Sequence, residues 1–238
     1  MQAFLVLLRY DLGQMGRSWI ARAWIALLVL PAVFLVGVAA SENELASQTM
    51  WAYMAAVLAP LSWLAVSIYS ASAVNGESNV LADAILSKSV TRSEYLSAKL
   101  VSRVGFTIAI YFLVTIPLAA LLARYAAPDT TVLGVMLALV QVGAMLGFLA
   151  AAGILLSTLF KNSQLSILGV MALVLTSGAA LQFLGLDSMS VTAILTDLPI
   201  TLRGEASAWS SLRVVIFFGL LAAAAGSAAL WTFRRKDL

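Results

Sequence analysis

Apolar residues along this chain gather into six long runs, residues 20–40, 51–74, 104–123, 132–159, 165–186 and 213–233, separated by short polar connections. A helix needs about 20 apolar residues to cross a bilayer, and each run supplies that length. Inside the runs there is no alternation of polarity, whereas strands of a membrane barrel would be about ten residues long and alternate. Helices are therefore the expected spanning element, since they satisfy their own backbone hydrogen bonds where water is excluded. The pattern predicts an all-α integral membrane protein with six transmembrane helices, forming one domain over residues 1–238.

Two segments outside the runs also carry helical spacing. In residues 1–19, Phe4, Leu5, Leu8, Leu12, Met15 and Trp19 recur every three or four positions, opposite Arg9, Gln14 and Arg17. That spacing predicts an amphipathic elbow helix lying in the membrane interface. In residues 187–212, Val191, Ile194, Leu195 and Leu198 share a face ahead of Pro199, which predicts a short helix resting on the outer leaflet. Gly143 and Gly147 form a G-x-x-x-G arrangement in the fourth run, a helix-packing site by its small side chains.

Composition agrees with the pattern. The chain is 62% hydrophobic and 11% charged, where soluble domains are about half apolar and about a quarter charged. The first run, preceded by Arg9 and Arg17, is longer than the apolar core of a secretory signal and reads as a span. Charge fixes the expected orientation: eleven of the 14 Lys and Arg residues fall in the two terminal segments, at Arg22 in the first turn of run one, and in the connections after runs two and four. Under the positive-inside rule these parts, and both termini, are cytoplasmic. Glu42, Glu44, Asp129, Asp187, Asp197 and Glu205 lie on the opposite side.

Several chemistries are excluded for this sequence. It has no Cys and no His, so disulfides, thiolate or imidazole metal sites and His- or Cys-based catalysis are absent. No Asp, Glu or Lys falls within the six runs, Arg22 and Arg213 lie at run ends where they can reach the interface, and the polar residues expected to be buried are neutral: Ser62, Ser67, Tyr69, Ser70, Thr107, Tyr111, Gln141 and Gln182. Ion-coupled transporters use ionisable groups near the midplane, which disfavours that class. No Gly-Lys dipeptide exists for a P-loop. Work done by this chain has to be supplied by a partner.

The longest positive connection, residues 75–103, holds the most specific local signals. Thr91-Arg92-Ser93-Glu94 has the spacing of a capping box, with Val90 and Tyr95 placed for a hydrophobic staple, so a helix starts at Arg92 and runs into the third span. Residues 79–89 read as a second short helix with Asn79 as its cap and Leu81, Ala84 and Ile85 on one face. Lys99 and Arg103 are expected at the interface, their heads reaching water or anionic lipid. Two helices around a tight turn make a rigid knob rather than a loose basic loop.

That stretch resembles the type-2 membrane subunits, or permeases, of ATP-binding-cassette transporters, particularly the compact six-helix branch. The family pattern is Glu at the end of helix two, then a segment like G-T-L-E-x-L-L-S-x-P-V-S-R-x-x-x-x-x-x-K that forms a coupling helix. Here Glu77 is followed by V-L-A-D-A-I-L-S-K-S-V-T-R-S-E-Y-L-S-A-K, with Asp83, Leu86, Ser87, Val90, Arg92 and Lys99 on family positions, Val80 in place of Gly and Ser89 in place of Pro. The elbow segment, the six spans, the L-S-T-L-F-K-N-S turn after span four and the long outer segment agree along most of the chain.

The resemblance implies a non-catalytic permease subunit, an exporter in a cell's inner (plasma) membrane, that binds no cofactor itself. ATP and Mg would be held by a cytoplasmic ATPase partner present in two copies. A second permease copy, an accessory protein on the outer side and the lipid bilayer complete the expected partners, with no nucleic acid. ATPase contacts are expected at Glu77, Asp83, Leu86, Ser87, Lys88, Val90, Thr91, Arg92 and Glu94, with Lys161 and Asn162 forming a second cytoplasmic turn. A six-helix substrate-capturing component, or a scaffold of another membrane complex, remains the alternative, and no residue selects a substrate.

Overall fold

The computed structural model describes residues 2–75 and 91–235. Its helices are α1 (Gln2–Arg17), α2 (Trp19–Glu42), α3 (Ala46–Tyr53), α4 (Ala59–Asn75), α5 (Arg92–Tyr125), α6 (Val132–Leu159), α7 (Ser163–Phe183), α8 (Val191–Thr196), α9 (Leu198–Arg203) and α10 (Ala208–Arg235). A π-helical turn, Met54–Leu58, fuses α3 and α4 into one span. The wide turn falls just ahead of Pro60, whose missing N–H would interrupt an ordinary ladder. Six helical segments are long and apolar enough to cross a membrane: α2, α3–α4, α5, α6, α7 and α10. The protein is thus an all-α, multi-span membrane protein, and no strand occurs among the described residues.

Local chemistry sets the ends of the helices. Ser18 separates α1 from α2: its side chain accepts from the Ile20 N–H at 3.2 Å, an N-cap in extended geometry. Asn43, at φ 54°, closes α2 in the left-handed region that Asn tolerates. The fifth run ends at Phe183 rather than 186, because Gly185 turns the chain at φ 69°. Pro199 lies in the first turn of α9, where its missing N–H costs nothing, so residues 187–212 hold two short helices instead of one. Ile194, Leu195 and Leu198 of this segment are buried.

α6 is the centre of the bundle, packed along α4, α5, α9 and α10. More than half of its most apolar stretch, 56%, is buried, against 11% for α7, which therefore lies at the periphery. Glycines make the central packing possible, though not chiefly the expected pair. Gly143 and Gly147 face Tyr111 and Ile108 of α5 in the same chain, with room for a Cβ at 3.4 and 3.6 Å. The close approaches are elsewhere: a Cβ on Gly153 would collide with Ser70 Oγ and lie 2.6 Å from Ser70 Cβ. One on Gly134 would meet the backbone oxygens of Thr201 and, at 2.6 Å, Leu202.

Of the neutral polar residues expected inside, Ser62, Ser67, Tyr69, Ser70, Thr107, Tyr111 and Gln141 are buried. Gln182 is not: it is exposed, one residue before α7 ends. A run that is apolar on every side gives no periodicity from which its outward face could be read.

Gly153→Ala is expected to cost about 2 kcal/mol, because Ser70 Cβ cannot rotate out of the way. Gly147→Ala, with ordinary contact space and better helix propensity, should be neutral or stabilising by up to about 1 kcal/mol. Thermal unfolding of the purified variants in detergent checks both, and equal melting temperatures would contradict the packing described.

Candidate functional site

The site begins at the first turn of α5. Thr91 Oγ1 accepts from the Glu94 N–H at 3.2 Å, and the Thr91 N–H donates to Glu94 Oε2 at 3.2 Å. Both halves of the capping box are formed, so α5 starts at a fixed residue, with Arg92 in its first position. At 34 residues α5 is about 51 Å long, well beyond the roughly 30 Å of a hydrocarbon core. The helix is thus longer than a crossing requires, and its first turns are continuous with the span.

That part of α5 is bound to α1. Lys99, Ser102 and Arg103 are spaced to share one face of α5 and all three meet Asp11. Lys99 Nζ donates to Asp11 Oδ1 at 2.7 Å and Arg103 Nη2 to the same oxygen at 3.2 Å, while Ser102 Oγ donates to Asp11 Oδ2. Asp11, Lys99 and Arg103 are only 2%, 5% and 8% exposed. This corrects the expectation that the two cations reach water or lipid. A charge withdrawn from water is strongly disfavoured unless paired and hydrogen-bonded, and the Asp11 carboxylate, accepting from three side chains, meets that condition.

Aromatic rings surround the node. The Arg103 guanidinium lies 6.0 Å from the Tyr69 ring centre, and the Tyr69 hydroxyl donates to Ser18 Oγ at 3.1 Å, so the α1–α2 joint is tied to α4. Lys99 Nζ is 5.8 Å from the Tyr95 ring, which stacks on Phe233 of α10 at 6.0 Å. Nearby, the Val74 N–H donates to Ser157 Oγ at 3.1 Å, and Thr158 and Thr232 hydroxyls pair at 3.1 Å. At this end of the bundle α1, α4, α5, α6 and α10 are linked by side-chain contacts.

The other expected residues are accounted for as follows. Asn162 caps α7, its Oδ1 accepting from the Gln164 N–H at 2.9 Å, and Lys161 is exposed beside it. Glu77, Asp83, Leu86, Ser87, Lys88 and Val90 lie outside the described residues, as do the helix expected over 79–89 and the Val90 half of the staple. Gly143 and Gly147 pack within the chain. Sequence reasoning missed Asp11, although it is the one acid in residues 1–19. Its neighbours also shift the reading of α1: Asp11 and Met15 face inward, while Leu5, Leu12 and Trp19 are exposed.

A second node closes the opposite end. Asp129 accepts from the Ser47 N–H at 2.8 Å, from Ser47 Oγ and from Arg203 Nε at 3.3 Å, joining three connections. Beside it, the Ala127 N–H donates to Glu44 O at 2.8 Å and the Ala46 N–H to Ala127 O at 3.0 Å. Among the described residues no group of three or more acidic side chains gathers to hold a metal.

Asp11→Asn is expected to destabilise the protein by about 3–5 kcal/mol, because two buried cations lose their carboxylate. Arg9→Gln, on the exposed face of α1, should change stability by less than about 0.5 kcal/mol. Thermal unfolding in detergent and hydrogen exchange of α1 amides give the comparison. Unchanged exchange in Asp11→Asn would mean that the node does not hold α1.

No protein-family model matches the sequence, and no curated protein matches it either.

Proposed function

We propose that this chain is the membrane-spanning permease of an ATP-driven ABC transporter, an exporter of the inner (plasma) membrane. In this reading residues 77–95 contact a cytoplasmic ATPase, present in two copies with ATP and Mg in its own sites. Two permease copies assemble, and ATPase closure displaces the helices to alternate access between the two sides. The end of the bundle that carries α1, the start of α5 and the end of α10 is cytoplasmic by its excess of Lys and Arg.

The observation that supports this reading best is the stiffness of the start of α5. A push on a loose basic loop is dissipated, but a push on a capped helix is carried along its axis. The Asp11 node then shares the displacement with α1, and the Tyr95–Phe233 stack shares it with α10. Arg92, in the first turn of that helix, is the described residue placed to receive the contact. The neutral interior fits the same division of labour: the energy source lies in the partner and no ion-coupling group is needed in the spans.

Co-expressed with its ATPase, the wild-type chain should copurify with it in equal amount, and Arg92→Glu should abolish assembly or ATP-coupled turnover. Arg92→Lys, which keeps the charge, should remain near wild type if the charge alone matters. An assembled Arg92→Glu complex with normal coupled turnover would overturn the assignment, as would purification of the wild-type chain with no Walker-motif partner.

A further inference from the structure

Two cavities lie one above the other along the seam between α6 and α10, near the end of the bundle that holds Asp129. The upper, about 220 Å³, is lined by Gln141, Asp197, Thr201, Ser210 and Arg213, with Ile194 and Val214 at its sides. The lower, about 270 Å³, is lined almost wholly by hydrocarbon, including Trp63, Met145, Phe148, Phe218 and Leu221, and α7 contributes Ser177 to its wall. Met145 follows Gln141 by one helical turn on α6, and Phe218 follows Val214 by one turn on α10, so the apolar slot continues directly beneath the polar one.

The polar cavity has the character of a built site. Gln141 is 6% exposed and lines it, yet its carboxamide makes no hydrogen bond to any described residue. The amide atoms are not sealed inside the protein but open on the cavity, where they can pair with a guest. Gln141 lies about 14 Å below the start of α6 at Val132. Closer to the mouth are one cation, Arg213, and one anion, Asp197, and their side chains form no ion pair with each other or with any other described residue. Opposite charges held apart around an unbonded amide suit a headgroup that itself carries both signs. The volume excludes a bulky drug-sized molecule from the upper cavity alone.

We propose that the two cavities form one binding site for a single-chain amphiphile with a dipolar headgroup. The anionic group of the ligand faces Arg213, its ammonium faces Asp197, a headgroup oxygen or N–H pairs with Gln141, and the hydrocarbon tail occupies the slot between α6, α7 and α10. The same chemistry is offered by a lysophospholipid from the membrane and by an acylated amino acid. The site belongs to one chain and requires neither a second copy nor an ATPase, so it stands or falls separately from the permease reading.

The test is saturable binding of labelled lysophosphatidylethanolamine to the purified full chain in phosphatidylcholine nanodiscs. Binding should reach one ligand per chain. Gln141→Leu, Arg213→Gln and Asp197→Asn should each weaken it about tenfold, and Ser177→Phe, which fills the slot without touching the headgroup, should weaken it by a similar factor. Arg213 and Asp197 are exposed, so their variants keep the fold even if Gln141→Leu does not. Lysophosphatidylglycerol, which lacks the ammonium, should bind more weakly, and free phosphoethanolamine should not compete. Running N-palmitoyl-lysine in parallel identifies the source, since the tighter of the two zwitterions is the better mimic. Non-saturable partitioning, or equal affinity in the wild type and in the Arg213, Asp197 and Ser177 variants, would overturn the proposal.

Discussion

One carboxylate organises the basic end of this protein. Asp11 accepts hydrogen bonds from Lys99, Ser102 and Arg103 while almost fully withdrawn from solvent. Two cations on successive turns of α5 would repel each other and resist burial if left alone. With Asp11 between them they become the surface on which α1 docks, and α1 in turn sets the position of Ser18, the residue that starts α2. Tyr69 reads both events, one edge on Arg103 and its hydroxyl on Ser18.

The rest of the bundle is held by close approach. Inside a bilayer there is no hydrophobic gain from bringing two apolar helices together, so contact depends on shape and on bonded polar groups. α6 meets both requirements. Gly153 admits Ser70 of α4, Gly134 admits the backbone of α9, and Ser157 and Thr158 bond to α4 and α10. Hydroxyls that find no cross-helix partner turn back on their own helix, as Ser67 does to Trp63 O at 2.5 Å and Thr115 to Tyr111 O at 2.8 Å. Such back-bonding leaves a span smooth, which is why α7, with little buried surface, can lie against its neighbours without a polar tie across its middle.

How much of this could be read beforehand depends on the range of the interaction. Spans were legible because about 20 apolar residues in a row have one common use, and Thr91 to Glu94 was legible because a capping box is complete within four residues. Helix starts moved outward: α3 begins at Ala46, where Asp129 accepts from the Ser47 N–H, and α10 begins at Ala208, where Ser207 Oγ accepts from the Trp209 N–H at 3.3 Å, each several residues outside its apolar run. The Asp11–Lys99 pair joins residues 88 apart and leaves no spacing to detect. The sign of the charges was visible, but basic residues after a span ordinarily mean orientation, and that local reading hid the pairing. Gln182 failed for the opposite reason, since nothing in an apolar run says which side faces out.

Among the described residues ion pairs thus sit in two nodes at the two ends, Asp11 with Lys99 and Arg103, and Asp129 with Arg203. The nodes do different work. The one at Asp129 ties the connection after α5 to the first turn of α3 and the last residue of α9, so it fixes helix ends to a loop. The one at Asp11 grips the shafts of helices, so it fixes α1 to α5 along their length. On the permease reading, a force applied to the start of α5 would move α1 and α5 together at the basic end. Between the two nodes no ion pair crosses the described spans, and the cross-helix polar ties are neutral, Tyr111 donating to Leu139 O at 2.9 Å and Tyr53 to Leu28 O at 3.1 Å. On that same reading, helices that change their relation there would exchange neutral hydrogen bonds rather than ion pairs, and the amphiphile site along the α6–α10 seam lies between this neutral middle and the outer end that Asp129 ties together.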